Sequence, residues 1–435
     1  MKEIFLKILA GLLKKLAQAT LWRHQPKIIG ITGNVGKTST KEALALILAG
    51  EKRVRRPLSS FNNELGLPLT ILGDWRPKGG LFFWFKVISV SFFRVFLKDR
   101  AYPEILVLEY GVDKPGDMKY LLDIAKPQIG IVTAIGDLPV HVEFFASREA
   151  LIKEKAKLIS SLPATGFAVL NADDIDVLRM RENSKAKVIT FGFSEDADLK
   201  ISNIMNSFSE DFRGMTFKLT YNGSSVPVRL ENVLGRAQSY VASAAAAAGL
   251  IFGMNLVKIA EALTAYNLPP GRFKIIAGIK ETTIIDDTYN ASPLAMREAL
   301  GTLRELGTTR KIAVLGDMLE IGKYTLEAHE EIGRIAAKAV QVLITVGDKA
   351  KFIAESARET GMPADSVFDF QDIDEAGKFL QEKIKKGDVV LLKGSQSVRL
   401  EKIVKEIMAE PEKAEKLLVR QNKEWLAKRG IYENK

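Results

Sequence analysis

The stretch Ile28-Ile29-Gly30-Ile31-Thr32-Gly33-Asn34-Val35-Gly36-Lys37-Thr38-Ser39-Thr40 decides how the fold is read. An apolar run that reads as a buried strand enters a glycine-rich turn, passes through Gly-Lys-Thr and continues into residues 41–48 with helical spacing of apolar side chains. That order suits phosphate binding. Glycines let backbone N–H groups approach the oxygens, the helix offers its positive end, Lys37 adds a point charge and Thr38 can hold Mg²⁺. The loop is expected to bind a nucleoside triphosphate through Gly33, Asn34, Val35, Gly36, Lys37, Thr38 and Ser39. The spacing departs from the usual one, since Ile31 precedes the turn and the nearest glycines are Gly30 and Gly33. A tight strand-to-helix turn that merely contains a lysine is the competing reading.

A chain of 435 residues accommodates two or three domains with substantial cores. The formal charge of +10 suits phosphate-rich substrates, anionic membrane surfaces or nucleic acid without choosing among them. The lack of cysteine excludes disulfides, a thiol nucleophile and thiolate zinc sites, and only His24, His141 and His329 can supply imidazole chemistry.

Residues 1–23 place Ile4, Phe5, Ile8, Leu9, Leu12, Leu13 and Leu16 on one helical stripe with lysines elsewhere, an amphipathic basic helix. Ala17-Gln18-Ala19 resembles a signal-peptide cleavage site, but Lys7, Lys14 and Lys15 interrupt the apolar core such a peptide needs. Docking on the protein's own body and contact with a membrane surface both stay open. In Ser59-Ser60-Phe61-Asn62-Asn63-Glu64-Leu65-Gly66-Leu67-Pro68 the paired amides either orient a ligand or build a turn. The stretch 81–97 is the most aromatic of the chain; it is too short and too charged to read as a membrane span, and suits an internal packing helix or one lying in a membrane interface. Lys86, Ser89, Phe93 and Arg94 would share one side of it.

From Pro103 strands and helices alternate. The strand 105–108 delivers Glu109 at its carboxyl end, where ligands gather in open α/β sheets. His141 follows the strand end after residue 133, and a helix from Ser147 carries Lys153, Lys155 and Lys157. Residues 187–233 suggest an antiparallel meander, 235–253 an alanine-rich helix, and Asn267-Leu268-Pro269-Pro270-Gly271-Arg272 a hinge. Alternation then restarts, with strands near 283–285, 311–315, 342–346 and 388–392 carrying Asp286, Asp287, Asp317 and Lys393 at their ends. The charged segment 410–435 reads as a helix with exposed faces. The expected architecture is α/β: a P-loop ATPase domain with a mainly parallel sheet, then a second, Rossmann-like α/β domain. Singly, Glu109 reads equally as a strand-end salt bridge, His141 as a loop histidine, Asp286-Asp287 as a helix cap and Lys155 as a solvated helix residue. Asp317 and His329 read equally as stabilisers of their loop.

Together these pieces resemble the Mur ligases, ATP-dependent amide-forming enzymes of peptidoglycan precursor synthesis, and among them the branch that adds D-alanyl-D-alanine. The resemblance runs over residues 27–408 through Thr32 to Thr38, Asn62 to Pro68, Glu109-Tyr110-Gly111, His141, Lys155, Gly271-Arg272, Asp286 to Pro293, Leu315-Gly316-Asp317-Met318 and Lys393-Gly394-Ser395. It implies phosphorylation of a substrate carboxylate by ATP and attack of an incoming amine on the acyl phosphate. It also implies that Lys37 and Thr38 handle the phosphates and one Mg²⁺ shared with Glu109, that His141 holds a second Mg²⁺, and that Lys155 is carbamylated to bridge the metals. Arg272 would reach the γ-phosphate, Gln238, Asp286 and Asn290 would attend the nucleotide, and Asn62, Asn63, Asp317 and Lys393 the substrates. The implied partners are a peptidoglycan precursor and a dipeptide rather than nucleic acid, for a monomer in the cytoplasm, with the inner membrane face left open by residues 1–23 and 81–97.

The expected divisions are an N-terminal helix at 1–26, a central ATP-binding domain at 27–268 with an aromatic insertion at 75–100, a C-terminal domain at 269–409 and a tail at 410–435. Three departures accompany the resemblance. Only 26 residues precede the first strand, so the uridine-nucleotide-binding domain of the family is expected to be absent. Gly235-Arg236-Ala237-Gln238 and Ala242 replace a Gly-x-His-Asn pattern and a later Asn beside the adenine. Ser292 and Gln396 stand where Asn and Arg are usual, which leaves the incoming amine open. Alternatives are ligation to a lipid-linked or other carboxylate, as in folate polyglutamylation, and a nucleotide-binding scaffold without turnover.

Overall fold

The computed structural model describes residues 2–57, 61–75, 80–96, 99–209, 211–307 and 310–433. Ser59, Ser60 and Leu97, residues 76–79 of the aromatic insertion and residues 434–435 of the tail lie outside the described residues.

Helix α1 (Lys2–His24) leads into β1 (Lys27–Thr32) and α2 (Lys37–Ala49). Then come β2 (Val54–Arg55), α3 (Gly66–Leu72), α4 (Leu81–Phe96), β3 (Ile105–Glu109), α5 (Asp117–Ile124), β4 (Ile129–Val132), α6 (Arg148–Ser160), β5 (Phe167–Asn171), α7 (Ile175–Arg179) and β6 (Lys187–Gly192). Strands β7 (Leu199–Phe208), β8 (Arg213–Tyr221) and β9 (Ser224–Glu231) precede α8 (Arg236–Ile251) and α9 (Leu256–Leu263). Among the described residues these strands make one nine-stranded sheet ordered β2-β3-β1-β4-β5-β6-β7-β8-β9, parallel as far as β7.

β1 is flanked on both sides, by β3 and β4, and is buried beyond Lys27, as expected of an apolar run covered on both faces. The chain turns to one side for β2 and β3 and to the other for β4, so a crevice opens at the carboxyl ends of β1, β3 and β4. The expected meander holds over β7 to β9, whose β8–β9 turn uses Asn222 and Gly223 at positive φ. Residues 187–192 differ: they return through α7 and join β5 in parallel, because a helical crossover rather than a hairpin feeds them. The alanine run 244–248 is buried, and its small side chains let α8 lie close against α2.

The second sheet holds β10 (Lys274–Ala277), β11 (Thr283–Asp286), β12 (Lys311–Gly316), β13 (Val342–Val346), β14 (Val367–Phe370) and β15 (Val389–Lys393) in the order β10-β11-β15-β12-β13-β14. Only β10 runs antiparallel, at the edge. Helices α10 (Pro293–Glu305), α11 (Thr325–Ala336), α12 (Lys351–Glu359), α13 (Ile373–Lys383) and α14 (Glu401–Ile407) cover it. The α/β class, with a P-loop sheet and a second parallel sheet, agrees with the sequence reading.

Two expectations change. The tail is not one exposed helix; it makes short turns, buries Ala414 and Leu418, and sends Arg420 and Tyr432 back to the second domain. The stripe of α1 is divided: Leu9, Leu13 and Leu16 are buried with Ala17 and Thr20, whereas Ile4, Phe5, Ile8 and Leu12 are exposed, because the apolar arc is wider than the groove that receives it.

Candidate active site

Gly33 and Gly36 of the opening stretch adopt φ values of 138° and 88°, which favour glycine. A Cβ on Gly33 would also fall 2.2 Å from the Thr133 hydroxyl oxygen. The turn is tied to the end of β4, since Asn34 N–H donates to the Ala134 carbonyl (2.7 Å) and Thr133 Oγ1 donates to the Val35 carbonyl (2.6 Å). Helix α2 then starts at Gly36 with no side-chain cap, leaving its first N–H groups to an incoming anion.

Around this helix end the cationic groups converge. Lys37 Nζ folds back onto the Gly33 carbonyl (2.6 Å), and burial, opposed by Glu109 and reinforced by Arg272, holds its pKa down to about 8. Lys155, on α6, is buried; desolvation and then the charge of Lys37 bring it from 10.5 down to about 7. Arg272 of the second domain reaches Thr38 Oγ1 at 3.4 Å and lies 3.8 Å over the Tyr289 ring. Two depressed lysines and an arginine at a helix N-terminus make a place for several negative charges.

Thr38 Oγ1 donates to Glu109 Oε2 (3.2 Å), and Lys41 Nζ lies 3.1 Å from Glu109 Oε1 as a fully buried ion pair. A hydroxyl and a carboxylate side by side at the phosphate end of a P-loop fit Mg²⁺, which takes one or two protein oxygens and completes its shell with phosphate and water. No group of three or more His, Asp or Glu among the described residues is placed to hold a metal alone.

A cavity of about 850 Å³ opens here between the two sheets' domains. Of the residues singled out in the sequence, Asn34, Val35, Gly36, Lys37, Thr38, Ser39, Asn62, Asn63, Glu109, His141, Gln238, Arg272, Asn290 and Lys393 line it. The Asn62 loop leans on the β3 end, Gly111 N–H donating to the Asn62 carbonyl (2.9 Å), while Asn63 Oδ1 accepts from Gly66 N–H (2.9 Å). The amide oxygens of Asn34 and Gln238 are buried without a partner, acceptors that a bound donor would satisfy. Gly33 and Lys155 sit behind the wall rather than in it.

Two expected residues are elsewhere. Asp286 is fully buried and spends its carboxylate on Gly271 N–H and on the N–H and hydroxyl of Thr288. It is its neighbour Asp287 that lines the cavity and pairs with Lys393 at 2.6 Å, since successive residues at a strand end face opposite ways. Asp317 is likewise buried, accepting from Lys349 N–H, Ala350 N–H and the Tyr432 hydroxyl, and so anchors a helix start instead of a substrate. His329 accepts from Met318 N–H (3.0 Å) and braces the same loop.

His141 lines the cavity with φ at 67°, a left-handed conformation uncommon for a side-chain-bearing residue. Its Nδ1 is 2.9 Å from Glu320 of the second domain and its Nε2 3.4 Å from Asp113. Glu320 closes the Gly316-Asp317-Met318-Leu319-Glu320 motif and Asp113 follows Glu109-Tyr110-Gly111 in the chain, but it is tertiary packing that brings both to His141.

The sequence reading also passes over Arg420. Its guanidinium grips Glu401 and donates to the carbonyls of Thr288 (2.5 Å) and Tyr289 (3.2 Å), fixing the loop that carries Tyr289 beneath Arg272 and Asn290 beside Lys393. Arg420→Ala is expected to raise the KM for ATP about tenfold, the effect of losing roughly 1.4 kcal/mol of loop positioning, with kcat changed less. Arg420→Lys should recover part of it. Steady-state kinetics on both variants checks this, and an unchanged KM at lowered melting temperature would assign Arg420 to stability alone.

Family models agree with this geometry. The Mur ligase middle domain matches residues 89–249 and the Mur ligase glutamate ligase domain residues 271–396. The UDP-N-acetylmuramoyl-tripeptide--D-alanyl-D-alanine ligase of Bacillus subtilis (strain 168) is 30% identical over 401 residues, covering 92% of this chain and 79% of that one. Among solved structures, the MurF ligase from Thermotoga maritima in complex with ADP is similar with a TM-score of 0.76 and 27% identity, covering 93% of this chain and 84% of that one. MurF from Acinetobacter baumannii matches with a TM-score of 0.75 and 26% identity, over 90% of this chain and 79% of that one. With the P-loop cleft, the paired domains and the order of motifs all in agreement, the chain belongs to the Mur ligase family.

Proposed function

We propose that this protein is an ATP- and Mg²⁺-dependent ligase that joins D-alanyl-D-alanine to the carboxylate of a muramoyl tripeptide precursor. The observation that carries the reading is the meeting of Thr38, Glu109, Lys37 and Arg272 at the base of one cleft. Mg²⁺, when bound, supplies charge neutralisation on the phosphates. The N-terminus of α2 and Lys37 hold the phosphates in line, and Arg272 brings the second domain against the transferring group. Lys155, placed behind Lys37, serves as the carbamylated carboxylate that the family resemblance implies, its depressed pKa leaving the amine uncharged enough to take up carbon dioxide. His141 is the candidate second-metal ligand.

In the reaction the substrate carboxylate attacks the γ-phosphorus and ADP leaves. The dipeptide amine then adds to the acyl-phosphate carbonyl, and phosphate departs as the amide forms with loss of a proton. Both steps build negative charge that buried cations stabilise better than water does. Asn62, Asn63 and Lys393 line the same cavity and are suited to hold the two substrates. ATP supply places such an enzyme in the cytoplasm.

Purified protein with ATP, Mg²⁺, D-alanyl-D-alanine and the UDP-linked tripeptide should release phosphate and yield the pentapeptide product, with a lipid-linked tripeptide as a parallel arm. Lys37→Ala should lower that rate at least about a thousandfold, or roughly 4 kcal/mol of transition-state stabilisation. Absence of phosphate release in both arms would overturn the reading.

A further inference from the structure

Helix α4 sorts its residues sharply. Val87 and Ser91 are buried, Trp84 and Ile88 are half-buried, and Arg94 turns inward to donate to the Leu72 carbonyl (3.0 Å) instead of sharing an outer side with Phe93. On the opposite side Phe82, Phe85, Phe92, Phe93 and Phe96 are all exposed, Phe82 by 81% and Phe85 by 69%. Positions 82, 85, 89, 92, 93 and 96 fall on one face of a 3.6-residue helix. At about 200 Å² per ring, these five side chains alone offer roughly 650 Å² of aromatic surface, more than the largest apolar patch on most monomers.

The surface continues on α1, which packs against α4. Leu9, Leu13, Leu16 and Val87 enter the same buried cluster, so both helices turn their other sides outward. There α1 exposes Ile4, Ile8, Leu12 and Trp22, the last by 76%. Charge accompanies this apolar surface in one sign. Lys7, Lys15 and Lys86 are exposed beside it, residues 81–96 contain no acidic residue, and residues 4–24 contain none either.

We infer that this two-helix face docks on an anionic lipid surface. Phenylalanine and tryptophan enter the headgroup boundary while lysines remain among lipid phosphates, the composition of a helix that lies in an interface. No described helix is long and apolar enough to cross a membrane; the 16 residues of α4 span about 24 Å, short of the roughly 30 Å hydrocarbon core. A second copy of the chain is a poorer occupant, because a two-fold pairing of this face sets lysines against lysines. The Asn62 loop, which lines the cleft, leads directly into α3, on which α1 packs, so docking here holds the cleft close to the bilayer.

The 435-residue chain should pellet with vesicles of mixed phosphatidylglycerol and phosphatidylcholine, and less as salt is raised. Phe82→Ser/Phe85→Ser/Phe93→Ser should weaken this at least tenfold with an unchanged melting temperature, since all three side chains are already in water. Lys7→Gln/Lys15→Gln/Lys86→Gln should remove the preference for anionic over neutral vesicles. Quenching of tryptophan emission by brominated lipid should fall in Trp22→Phe. Failure to pellet, equal binding by the triple-serine variant, or a stable dimer that the same variant dissociates would overturn the assignment. The assay contains neither ATP nor acceptor, so its failure leaves the ligase reading untouched.

Discussion

Compared with parent protein freed of carbon dioxide, in which Lys155 is an unmodified amine, Lys155→Met is expected to melt at a higher temperature at pH 7, and with carbon dioxide present to turn over at less than a hundredth of the parent's rate. The parent holds this amine 1% exposed, and desolvation, with the charge of Lys37 second, brings its pKa from 10.5 to about 7. The unfolded chain therefore binds a proton that the folded chain releases throughout the window between about 7 and 10.5. Parent stability rises with pH across that window, and the penalty is complete below it. Methionine carries no proton and fills nearly the same volume, so its advantage is full below pH 7 and fades toward pH 10.5. A gain of even 1 kcal/mol raises the melting temperature of a domain this size by about 2 °C. The loss of rate follows from removing the one group that stands behind Lys37 and is suited to carbamylation. Thermal melts at pH 7 and pH 10, read beside initial rates, decide it. A variant that melts lower, or keeps its rate, would place Lys155 in a packing role.

Glu109 offers a second separation of stability from chemistry. Glu109→Ala should lose about 2–3 kcal/mol of stability, because Lys41 stays buried with only Glu42 (3.2 Å) and the Pro57 carbonyl (3.0 Å) for company. Pairing the substitution as Glu109→Gln/Lys41→Met removes both charges and should recover most of that loss. ATP turnover should stay depressed at least a hundredfold in either variant, about 2.7 kcal/mol, since the carboxylate beside Thr38 is gone. Recovery of activity along with stability in the double variant would mean that Glu109 only neutralises Lys41. Denaturant melts with a phosphate-release assay distinguish the cases.

Much of this site was legible because phosphate chemistry leaves local marks. A strand, a glycine turn and Gly-Lys-Thr lie within thirteen residues, and their geometry follows from backbone rules alone, as Gly33 and Gly36 bear out by their positive φ. Glu109 could be placed by the rule that ligands collect at carboxyl strand ends. The Asp286-Asp287 pair shows where such a rule loses resolution. It finds the strand end but not which neighbour faces the cleft, and the strand stops there, so alternation has no further residue to fix the phase. Asp317 misled for a related reason: a carboxylate at a strand end also serves to start a helix, and Tyr432, more than a hundred residues away, completed that role.

The sequence by itself determined the α/β class, the phosphate loop, the alternation that builds two mainly parallel sheets and the family motifs in their order, because each is written in contiguous residues with a fixed period or turn chemistry. Tertiary structure decided which of the candidate side chains face the cleft, as with Asp287 in place of Asp286, and which residues support them. Arg272 reaches the cleft from the second domain, Glu320 and Arg420 hold His141 and the Tyr289 loop from chain positions far from the residues they touch, and the pKa of Lys155 is set by burial and by a neighbour 118 positions earlier. It also decided that the apolar arc of α1 and the aromatic arc of α4 are only half covered, since periodicity says that a helix has an apolar side and packing says how much of it meets water.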